Sequence, residues 1–352
     1  MTRAWIPSLL TIIKPGLTRG VDFLRLPMRN HISVCRHFTI PREYFRSISN
    51  IISIRQIVKK IKIVAKNTQF DLIHAHDELS AVAAVIVGEQ MSIPVVATLH
   101  GATTSKRFWR GSEKIVSKML FKLNRLILVG DPLIKFYKKK TTKCDHFRIV
   151  PNGIEFSKNM LLPKKYNSDN KLLIISASNL TDEGKCIHIT ILALAKLLNQ
   201  NITNWDYVIV GDGSKKSEYQ KLVHTLNLQD KIHFIGTCSH QEVYHHLLRA
   251  DIFCLPSCRE AFGIAHLEAM AHGLLTIAVK GQGPQAFIEH DKTGLLVEPE
   301  DFDNLADTIL YAFENRKKMH TIAELGRQHV LENFTWQKHA EKLISVYKEV
   351  CG

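Results

Sequence analysis

The sequence contains no run of 18 apolar residues, which excludes a helix that spans a bilayer. The apolar stretch from Trp5 to Ile13 is short, contains Pro7 and lacks a clear small-residue cleavage site, so a signal peptide is not expected. The seven cysteines form no CxxC pair and no Cys/His cluster with zinc spacing; Cys254 and Cys258 come nearest. We therefore expect reduced, mostly buried thiols in a cytosolic protein.

Acidic residues are scarce in the first part of the chain. Residues 1–150 contain 26 Lys or Arg against 9 Asp or Glu, a balance of +17, whereas residues 151–352 contain 21 against 24, a balance of −3. The two balances add up to the net charge of +14. A basic half joined to a nearly neutral half predicts that one half faces an anionic surface: a membrane leaflet, a nucleic acid or a phosphorylated substrate.

The remaining composition is that of an ordinary globular protein, with 45% hydrophobic and 23% charged residues. These values exclude a disordered tail, a collagen-like rod and a disulfide-stapled miniprotein. A length of 352 residues predicts about two domains. No internal repeat of 20–50 residues and no low-complexity tract is visible.

Short apolar runs alternate with amphipathic segments along most of the chain, which is typical of βαβ units with a parallel sheet. In the first half we predict strands at 32–35, 72–73, 94–99 and 126–129, and helices at 52–65, 79–91 and 112–123. In the second half we predict strands at 172–176, 207–210, 232–235, 252–255, 275–279 and 295–297, with helices such as 187–198 and 243–248 between them. The polar segment 155–170 is the predicted linker.

Two consecutive α/β sheets predict a cleft between domains, and ligands of such sheets lie outside the carboxyl ends of the strands. One strand end carries Gly211-Asp212-Gly213, which allows a tight turn and a close approach of the backbone to a phosphate. The third glycine of a dinucleotide fingerprint is missing. The motif is therefore either a ligand-facing loop or an ordinary turn between a strand and a helix.

A second strand end carries the most informative string, residues 256–273, with Glu260 in the loop and Glu268 in a helix predicted to start near Phe262. That start places Glu268 about two turns along the helix, roughly 9 Å from its beginning. The N–H groups of Phe262, Gly263 and Ile264 would then form an anion site at the helix N-terminus. An acid on each side of a phosphate site suits a nucleotide-sugar. Taken singly, Glu260 could be a capping acid and Glu268 a solvated helix residue.

This string resembles the E-x7-E signature of retaining GT-B glycosyltransferases of family 4, also described as glycosyl transferases group 1. The resemblance runs from about Asp71 to the C-terminus. Further segments match the family in order and spacing: 70–76 (D-x-x-H-x-H), 98–101 (the acceptor-side His loop), 150–154, 250–257, 293–297 and 334–336.

The resemblance implies a GT-B fold, in which two Rossmann-like α/β domains face a cleft. It implies an acceptor-side domain at 1–150, a nucleotide-sugar-binding domain at 151–334 and a C-terminal helix at 335–352 that packs back on the first domain. Residues 1–30 depart from the family, because no convincing hydrophobic strand runs into a Gly-rich loop there. The first strand is therefore either divergent or missing.

The resemblance also implies roles for individual residues. Glu260 would contact the hydroxyls of the transferred sugar and Glu268 the donor ribose, while Lys185 would neutralise the diphosphate, so that neither a metal nor another cofactor is required. His100 would lie beside the transferred sugar or the acceptor. The donor-binding set would comprise Gly211, Gly213, Phe262, Gly263, Ile264 and Glu268. Ordinary alternatives are a solvated lysine at 185 and a strand-end histidine at 100.

Two family contacts are missing from the sequence. Many family members have an arginine near Asn179 that pairs with the diphosphate, and Ser178-Asn179-Leu180 offers no cation. The segment 281–285, Gly-Gln-Gly-Pro-Gln, replaces a common Gly-Gly-x-x-Glu loop. The donor site is therefore expected to depend more on Lys185 and on the helix N-terminus.

The basic first half predicts a membrane contact. Lys114, Lys118 and Lys122 repeat every four residues and form one stripe on the predicted helix, after the interfacial aromatics Phe108 and Trp109. Arg125 and residues 138–140, all lysines, add further charge. We expect this domain to dock on an anionic membrane surface and reach a lipid-linked acceptor; the alternative is a solvated helix face with buried aromatics.

The sequence as a whole predicts a cytoplasmic hexosyltransferase, peripheral on the inner membrane face. It would move a sugar with retention from a nucleoside diphosphate to a hydroxyl of a glycan or lipid-linked acceptor. Uridine as the base and cell-surface polysaccharide or lipopolysaccharide assembly as the pathway rest on family frequency and analogy. Alternatives are a nucleotide-sugar epimerase and a non-catalytic donor-binding or scaffold protein. A nucleic-acid binder rests on charge alone, because no binding module is recognised, and none is expected as a partner.

Overall fold

The computed structural model describes residues 10–13, 23–26, 42–67, 70–101, 113–139, 144–155 and 171–352, with side chains from Asn50 onward except those of residues 67, 113 and 114. The predicted strand at 32–35, the anchors Phe108 and Trp109, Lys140 and the linker from 156 to 170 lie outside this part of the chain. The described residues form two compact units. We refer to the residues up to Pro151 together with 340–352 as the N-terminal unit, and to 152–339 as the C-terminal unit.

The N-terminal unit has a six-stranded sheet in the order β2-β1-β3-β4-β5-β6. Its strands are β1 (Leu10–Ile13), β2 (Phe23–Leu26), β3 (Leu72–Ala75), β4 (Val95–Leu99), β5 (Arg125–Leu128) and β6 (Phe147–Ile149). Strands β3 to β6 are parallel and almost continuously apolar, as strands covered on both faces are. Strand β1 instead pairs antiparallel with both β3 and β2.

The expectation of a wholly parallel first sheet is therefore wrong. The N-terminal strands that sequence analysis found unconvincing do form, but they run antiparallel at one edge of the sheet. Each has only four residues, and β2 contains Arg25, so neither gives the long apolar run by which a buried parallel strand is recognised.

The helices of this unit are α1 (Arg42–Asn67), α2 (Glu78–Met91), α3 (Glu113–Leu120), α4 (Asp131–Lys138) and the C-terminal part of α11 (Trp336–Cys351). Helix α2 begins where the Asp77 carboxylate accepts a hydrogen bond of 2.6 Å from the N–H of Ser80. Its alanines and valines are buried along most of its length. Helix α3 ends at Leu120, three residues before the predicted end, so Lys122 does not lie on it.

The C-terminal unit has a wholly parallel six-stranded sheet in the order β12-β11-β10-β7-β8-β9. Its strands are β7 (Leu172–Ala177), β8 (Trp205–Val210), β9 (Ile232–Gly236), β10 (Ile252–Cys254), β11 (Leu275–Val279) and β12 (Leu295–Val297). All six were predicted, β11 and β12 with the observed bounds. The strand order reverses between β10 and β7, so the loops that follow these two central strands emerge side by side.

The helices of the C-terminal unit are α5 (Ile187–Asn199), α6 (Lys216–Thr225), α7 (His240–Arg249), α8 (Ile264–Ala271), α9 (Phe302–Glu314), α10 (Arg316–Asn333) and the start of α11. Helix α7 opens with a capping box, in which Ser239 and Glu242 bond each other's backbone N–H groups. One large hydrophobic core runs between these helices and the sheet. None of the described helices of the protein is both long enough and apolar enough to cross a membrane.

Helix α11 contributes to the core of the N-terminal unit. Val346 packs with Ile127 and Val150, and Tyr347 packs with Leu72 and Val96. The Tyr347 hydroxyl lies 2.6 Å from Nδ1 of the buried His74 and shares a hydrogen bond with it. The last helix is thus attached to the sheet by apolar contacts and by one buried polar contact.

We predict that Tyr347→Phe lowers the free energy of unfolding by about 1–3 kcal/mol, because it leaves a buried histidine nitrogen without this partner. Urea denaturation followed by circular dichroism measures the change. Tyr311→Phe is the matched control: its hydroxyl accepts a hydrogen bond from Lys318 at the surface, and its loss should cost less than about 0.5 kcal/mol. Equal unfolding midpoints for the two variants would contradict a stabilising role of the His74 contact.

Candidate active site

The loop after β10 leads into helix α8, which begins at Ile264 and not near Phe262 as predicted. Gly263 is the N-cap residue and has φ +97°, a left-handed conformation that delays the helix by two residues. The first bond of the helix joins the Leu267 N–H to the Gly263 carbonyl, so the N–H groups of Gly263 and Ile264 lie outside the helical ladder. Glu268 is the fifth residue of the helix, only a little over one turn along.

Lys185 and Glu260 come together in the structure, although 75 residues separate them in sequence. The Lys185 ammonium donates a hydrogen bond of 2.7 Å to Oε2 of Glu260, and both side chains are largely buried. Backbone bonds fix this approach, because the N–H groups of Cys258 and Arg259 both donate to the carbonyl of Gly184. The loops after the neighbouring strands β7 and β10 are thereby joined by this ion pair and by a more exposed one of 2.8 Å between Arg259 and Asp182.

Glu260 has further partners that fix its position. Its own N–H donates to Oε1 of Gln282 over 3.0 Å, and its carbonyl accepts from the N–H of Gly283 over 2.9 Å. The Phe262 N–H faces Oε1 of Glu260 at 3.5 Å. Burial acts to raise the pKa of the Glu260 carboxyl, but Lys185, His266 and the Phe262 N–H outweigh it, so the pKa is lowered and the carboxylate stays charged.

His266 lies beneath this loop and was not identified from the sequence. It is fully buried, and its Nε2 lies 2.9 Å from the carbonyl of Leu255 at the end of β10. Its Nδ1 has no hydrogen-bond partner among the described residues, and a side chain on Gly263 would come within 3.0 Å of that nitrogen. Burial lowers the pKa of His266 to about 4, against the opposing effect of Glu260. The imidazole is therefore neutral at neutral pH.

Glu268 occupies a separate, polar environment. Its carboxylate is mostly buried, and Nε2 of His240 lies 3.8 Å from its Oε1. Burial raises the pKa of Glu268, and nearby His240 opposes the rise only in part. Tyr244 packs on His240 with 5.1 Å between ring centroids, and the Glu268 charge contributes to its raised pKa. Helix α7 thus supplies two ring side chains beside Glu268 that sequence analysis missed.

The two glycines after β8 are explained by the backbone around them. Gly211 has φ +134°, and a Cβ there would overlap the carbonyl of Ser178. A Cβ on Gly213 would come within 2.7 Å of the N of Thr181. Both positions need glycine because the loop after β8 packs closely on the loop after β7. Loop packing therefore requires glycine at both positions, and the donor-binding role of Gly211 and Gly213 stays a prediction.

The predicted catalytic residue His100 belongs to the N-terminal unit, at the end of β4. Its Nε2 lies 3.3 Å from Nδ1 of His76, and the two rings are stacked at 5.6 Å. His76 in turn contacts His74, whose Nε2 shares a hydrogen bond of 2.8 Å with the Thr98 hydroxyl. The D-x-x-H-x-H segment and the His loop thus build one histidine cluster, defined as His74, His76 and His100.

The structure therefore groups the predicted residues in two places. Lys185, Glu260, Glu268 and the N-terminus of α8 lie along the carboxyl edge of the second sheet, whereas His100 lies in the histidine cluster of the first unit. Within the described part of the chain, no group of three or more His, Cys, Asp or Glu side chains could hold a metal ion. The basic stripe predicted at 114–122 is interrupted: Lys122 pairs with Glu89 and Arg125 with Glu349.

We predict that His266 makes the protein acid-sensitive. The unfolded chain binds a proton near the ordinary pKa of about 6.5, while the folded chain resists protonation down to about 4. The stabilisation is thus complete above pH 6.5 and is lost as the pH falls from there toward 4. Between pH 7 and 4.5 the unfolding free energy of the wild type, relative to His266→Gln, should fall by about 2 kcal/mol. Parallel pH profiles of the two proteins in chemical denaturation would contradict this.

Comparison with known proteins finds glycosyltransferases that are similar to both halves of the chain. Residues 160–329 match the family model described as glycosyl transferases group 1, and residues 17–158 match the model described as Glycosyltransferase Family 4. The chain is 29% identical over 278 residues to an uncharacterized glycosyltransferase of Bacillus subtilis, covering 77% of this chain and 75% of that one. It is 26% identical over 310 residues to the N-acetyl-alpha-D-glucosaminyl L-malate synthase of Bacillus anthracis, covering 84% and 77%.

Among solved structures, the fold is similar to that of Anabaena HepE in complex with UDP and glucose, with a TM-score of 0.70 at 20% identity, covering 84% of this chain and 81% of that one. This likeness gives the GT-B architecture for the two α/β units. Glycosyltransferase models match both halves of the chain, which decides against the epimerase and the scaffold alternatives. The protein is therefore a glycosyltransferase with the GT-B fold, and its two halves are similar to the models described as glycosyl transferases group 1 and Glycosyltransferase Family 4.

Proposed function

We propose that the protein transfers a hexosyl unit from a nucleoside-diphosphate sugar to an acceptor hydroxyl with retention of the anomeric configuration. The observation that carries this proposal is the contact of 2.7 Å between Lys185 and Glu260 beside the N-terminus of α8. It places a cation, an anion and free backbone N–H groups together at a strand end, where α/β sheets bind ligands. UDP is the proposed nucleotide, and the UDP and glucose bound to the similar HepE support it.

The donor would bind through three kinds of contact. The N–H groups of Gly263 and Ile264 and the positive end of the α8 dipole would face the diphosphate. Lys185 would share its charge between the diphosphate and Glu260, whose carboxylate would accept hydrogen bonds from the sugar hydroxyls. Glu268, buried beside His240 and Tyr244, would accept hydrogen bonds from the ribose hydroxyls.

The chemical step breaks the bond between the anomeric carbon and the diphosphate oxygen and forms a bond to the acceptor oxygen. The bonding electron pair leaves with the nucleoside diphosphate, and the acceptor proton passes to the released phosphate. Negative charge grows on the leaving diphosphate, and Lys185 and the helix N-terminus stabilise it there, so no metal ion is needed in this proposal. Glu260, held by Gln282, orients the sugar.

The acceptor side is proposed for the histidine cluster, with His100 beside the transferred sugar. Support comes from the resemblance of residues 98–101 to the family's acceptor-side loop and from the stacking of His100 on His76. A glycan or a lipid-linked glycan is the proposed acceptor. Cell-surface polysaccharide or lipopolysaccharide assembly at the inner membrane face is the proposed setting.

A donor panel tests the proposal. The full chain is incubated with UDP-, GDP- and ADP-sugars, with and without hydroxyl acceptors, and released nucleotide and glycosylated product are measured by mass spectrometry. Nuclear magnetic resonance then compares the anomeric configuration of product and donor. Uptake of none of these donors by well-folded protein would overturn the proposal, and an inverted product would overturn retention.

We predict that Lys185→Ala lowers kcat about 10²- to 10³-fold, because the leaving diphosphate loses its cation. Glu260→Gln removes the charge but keeps the shape, and a similar fall is expected because the sugar hydroxyls lose a charged acceptor. Lys196→Ala is the control, since Lys196 pairs with Asp303 and Asp307 away from this loop. Full activity of the Lys185 or Glu260 variant would refute its assigned role.

We also predict that Glu268→Ala weakens UDP binding by about ten- to a hundredfold, the loss expected for hydrogen bonds to a charged group. Isothermal titration calorimetry measures the dissociation constant. Glu314→Ala, an exposed position on α9, should bind UDP as the wild type does. Because burial raises the pKa of Glu268, UDP affinity of the wild type should also fall as the solution is acidified, and more steeply than that of Glu268→Ala. Unchanged affinity in Glu268→Ala would remove Glu268 from the donor site.

A further inference from the structure

The outer face of helix α1 carries an unpaired line of positive charge. Arg55, Lys59, Lys62 and Lys66 are all exposed and are spaced by four, three and four residues, which puts them on one stripe of the helix. Ile57 and Ile61, buried at 4% and 0%, define the opposite face, which α1 turns toward the core. No ion pair of these four cations is found among the described residues, and the helix has no acid between 50 and 67.

Exposed isoleucines flank this stripe. Ile52 and Ile63 lie next to it on one side, and their side chains are 40% and 53% exposed. Amphipathic helices that lie in a membrane interface have the same arrangement: their apolar side chains enter the acyl boundary, and their cations lie among the lipid headgroups.

The structure also weakens the case for the surface at 114–125, which the sequence predicts to contact a membrane. At 114–125 the positive charge is reduced by ion pairs, because Lys122 donates to Glu89 and Arg125 to Glu349. The α1 stripe has no such compensation among the described residues. Within the described part of the strongly basic N-terminal unit, α1 is therefore the helix that combines four exposed cations, none of them in an ion pair there, with exposed apolar side chains.

We propose that the outer face of α1, defined by Ile52, Arg55, Lys59, Lys62, Ile63 and Lys66, docks the protein on an anionic lipid leaflet. Each cation near such a leaflet contributes attraction that salt screens within a Debye length. The isoleucines add a contribution that needs hydrocarbon. A nucleic acid offers phosphates but no hydrocarbon layer, and residues 50–67 of α1 contain no aromatic residue on which bases could stack. The proposal is independent of the donor chemistry, which can be assayed without vesicles.

Vesicle flotation of the full chain tests the proposal. We compare phosphatidylcholine vesicles with vesicles containing about one third phosphatidylglycerol, at low and at high salt. The wild type should float only with the anionic vesicles and should be released by salt. Lys59→Glu with Lys62→Glu should bind at least about tenfold more weakly, while its nucleotide release without vesicles matches the wild type.

Two further proteins separate the explanations. Lys221→Glu with Lys317→Glu makes the same charge change at exposed positions of the C-terminal unit and should float as the wild type does. Ile63→Ser keeps the charge and should weaken flotation. The proposal fails if the wild type does not float, if the control pair loses binding equally, or if Ile63→Ser has no effect while an RNA oligonucleotide competes with the vesicles. The last outcome would assign the stripe to nucleic acid.

Discussion

The charge of Glu260 is buried at the carboxyl edge of the second sheet beside a cation from the neighbouring loop, which neutralises it. Glu260 and Lys185 come from the loops after β10 and β7, which emerge side by side where the strand order reverses. Burial disfavours each charge alone, and the pair offsets that cost because the contact is short and Gln282 and Gly184 hold both loops by backbone hydrogen bonds. The geometry of the candidate donor site therefore depends on this ion pair, and an anionic ligand would meet a cation that is already oriented.

Much of the second unit could be predicted because its signals are local. A strand covered on both faces is a short apolar run, so β11 and β12 were predicted with their observed bounds, and the acids of the E-x7-E string follow β10 directly. Lys185 was predicted only from the resemblance of its segment to the glycosyltransferase family. What these residues do to one another did not follow from spacing, since a hydrogen bond across 75 residues is a property of the folded sheet.

The features that were missed depend on tertiary context. The start of α8 was predicted two residues too early, because the left-handed Gly263 turns the chain before the helix begins. His266 is one of two polar residues in the otherwise apolar helix α8, and its burial and its contact with the Leu255 carbonyl are properties of the folded chain. Strands β1 and β2 are too short to give a period, and their antiparallel pairing with the sheet cannot be deduced from composition. Gln282 gave no signal at all, since glutamine in a loop is ordinary.

For the charge of the chain, the sequence gives the amount in each part, and the structure shows where on the surface that charge is exposed. The sequence establishes that the first 150 residues carry +17 and the remainder −3, and this imbalance predicts an anionic surface without locating it. Ion pairs then determine where the charge is available: Glu89 and Glu349 neutralise part of it near 122–125, and the packing of Ile57 and Ile61 turns the cations of α1 outward.

The excess positive charge lies in the first part of the chain and not in the unit that holds Lys185 and Glu260, and this separation has a physical consequence. A donor-binding unit with a large positive field would attract every phosphate, whereas in the proposed function a nearly neutral unit would let the largely buried Lys185 and the N-terminus of α8 select the ligand by geometry. In these two proposals, surface attraction and donor recognition depend on different residues in different units, so that each could be adjusted without the other.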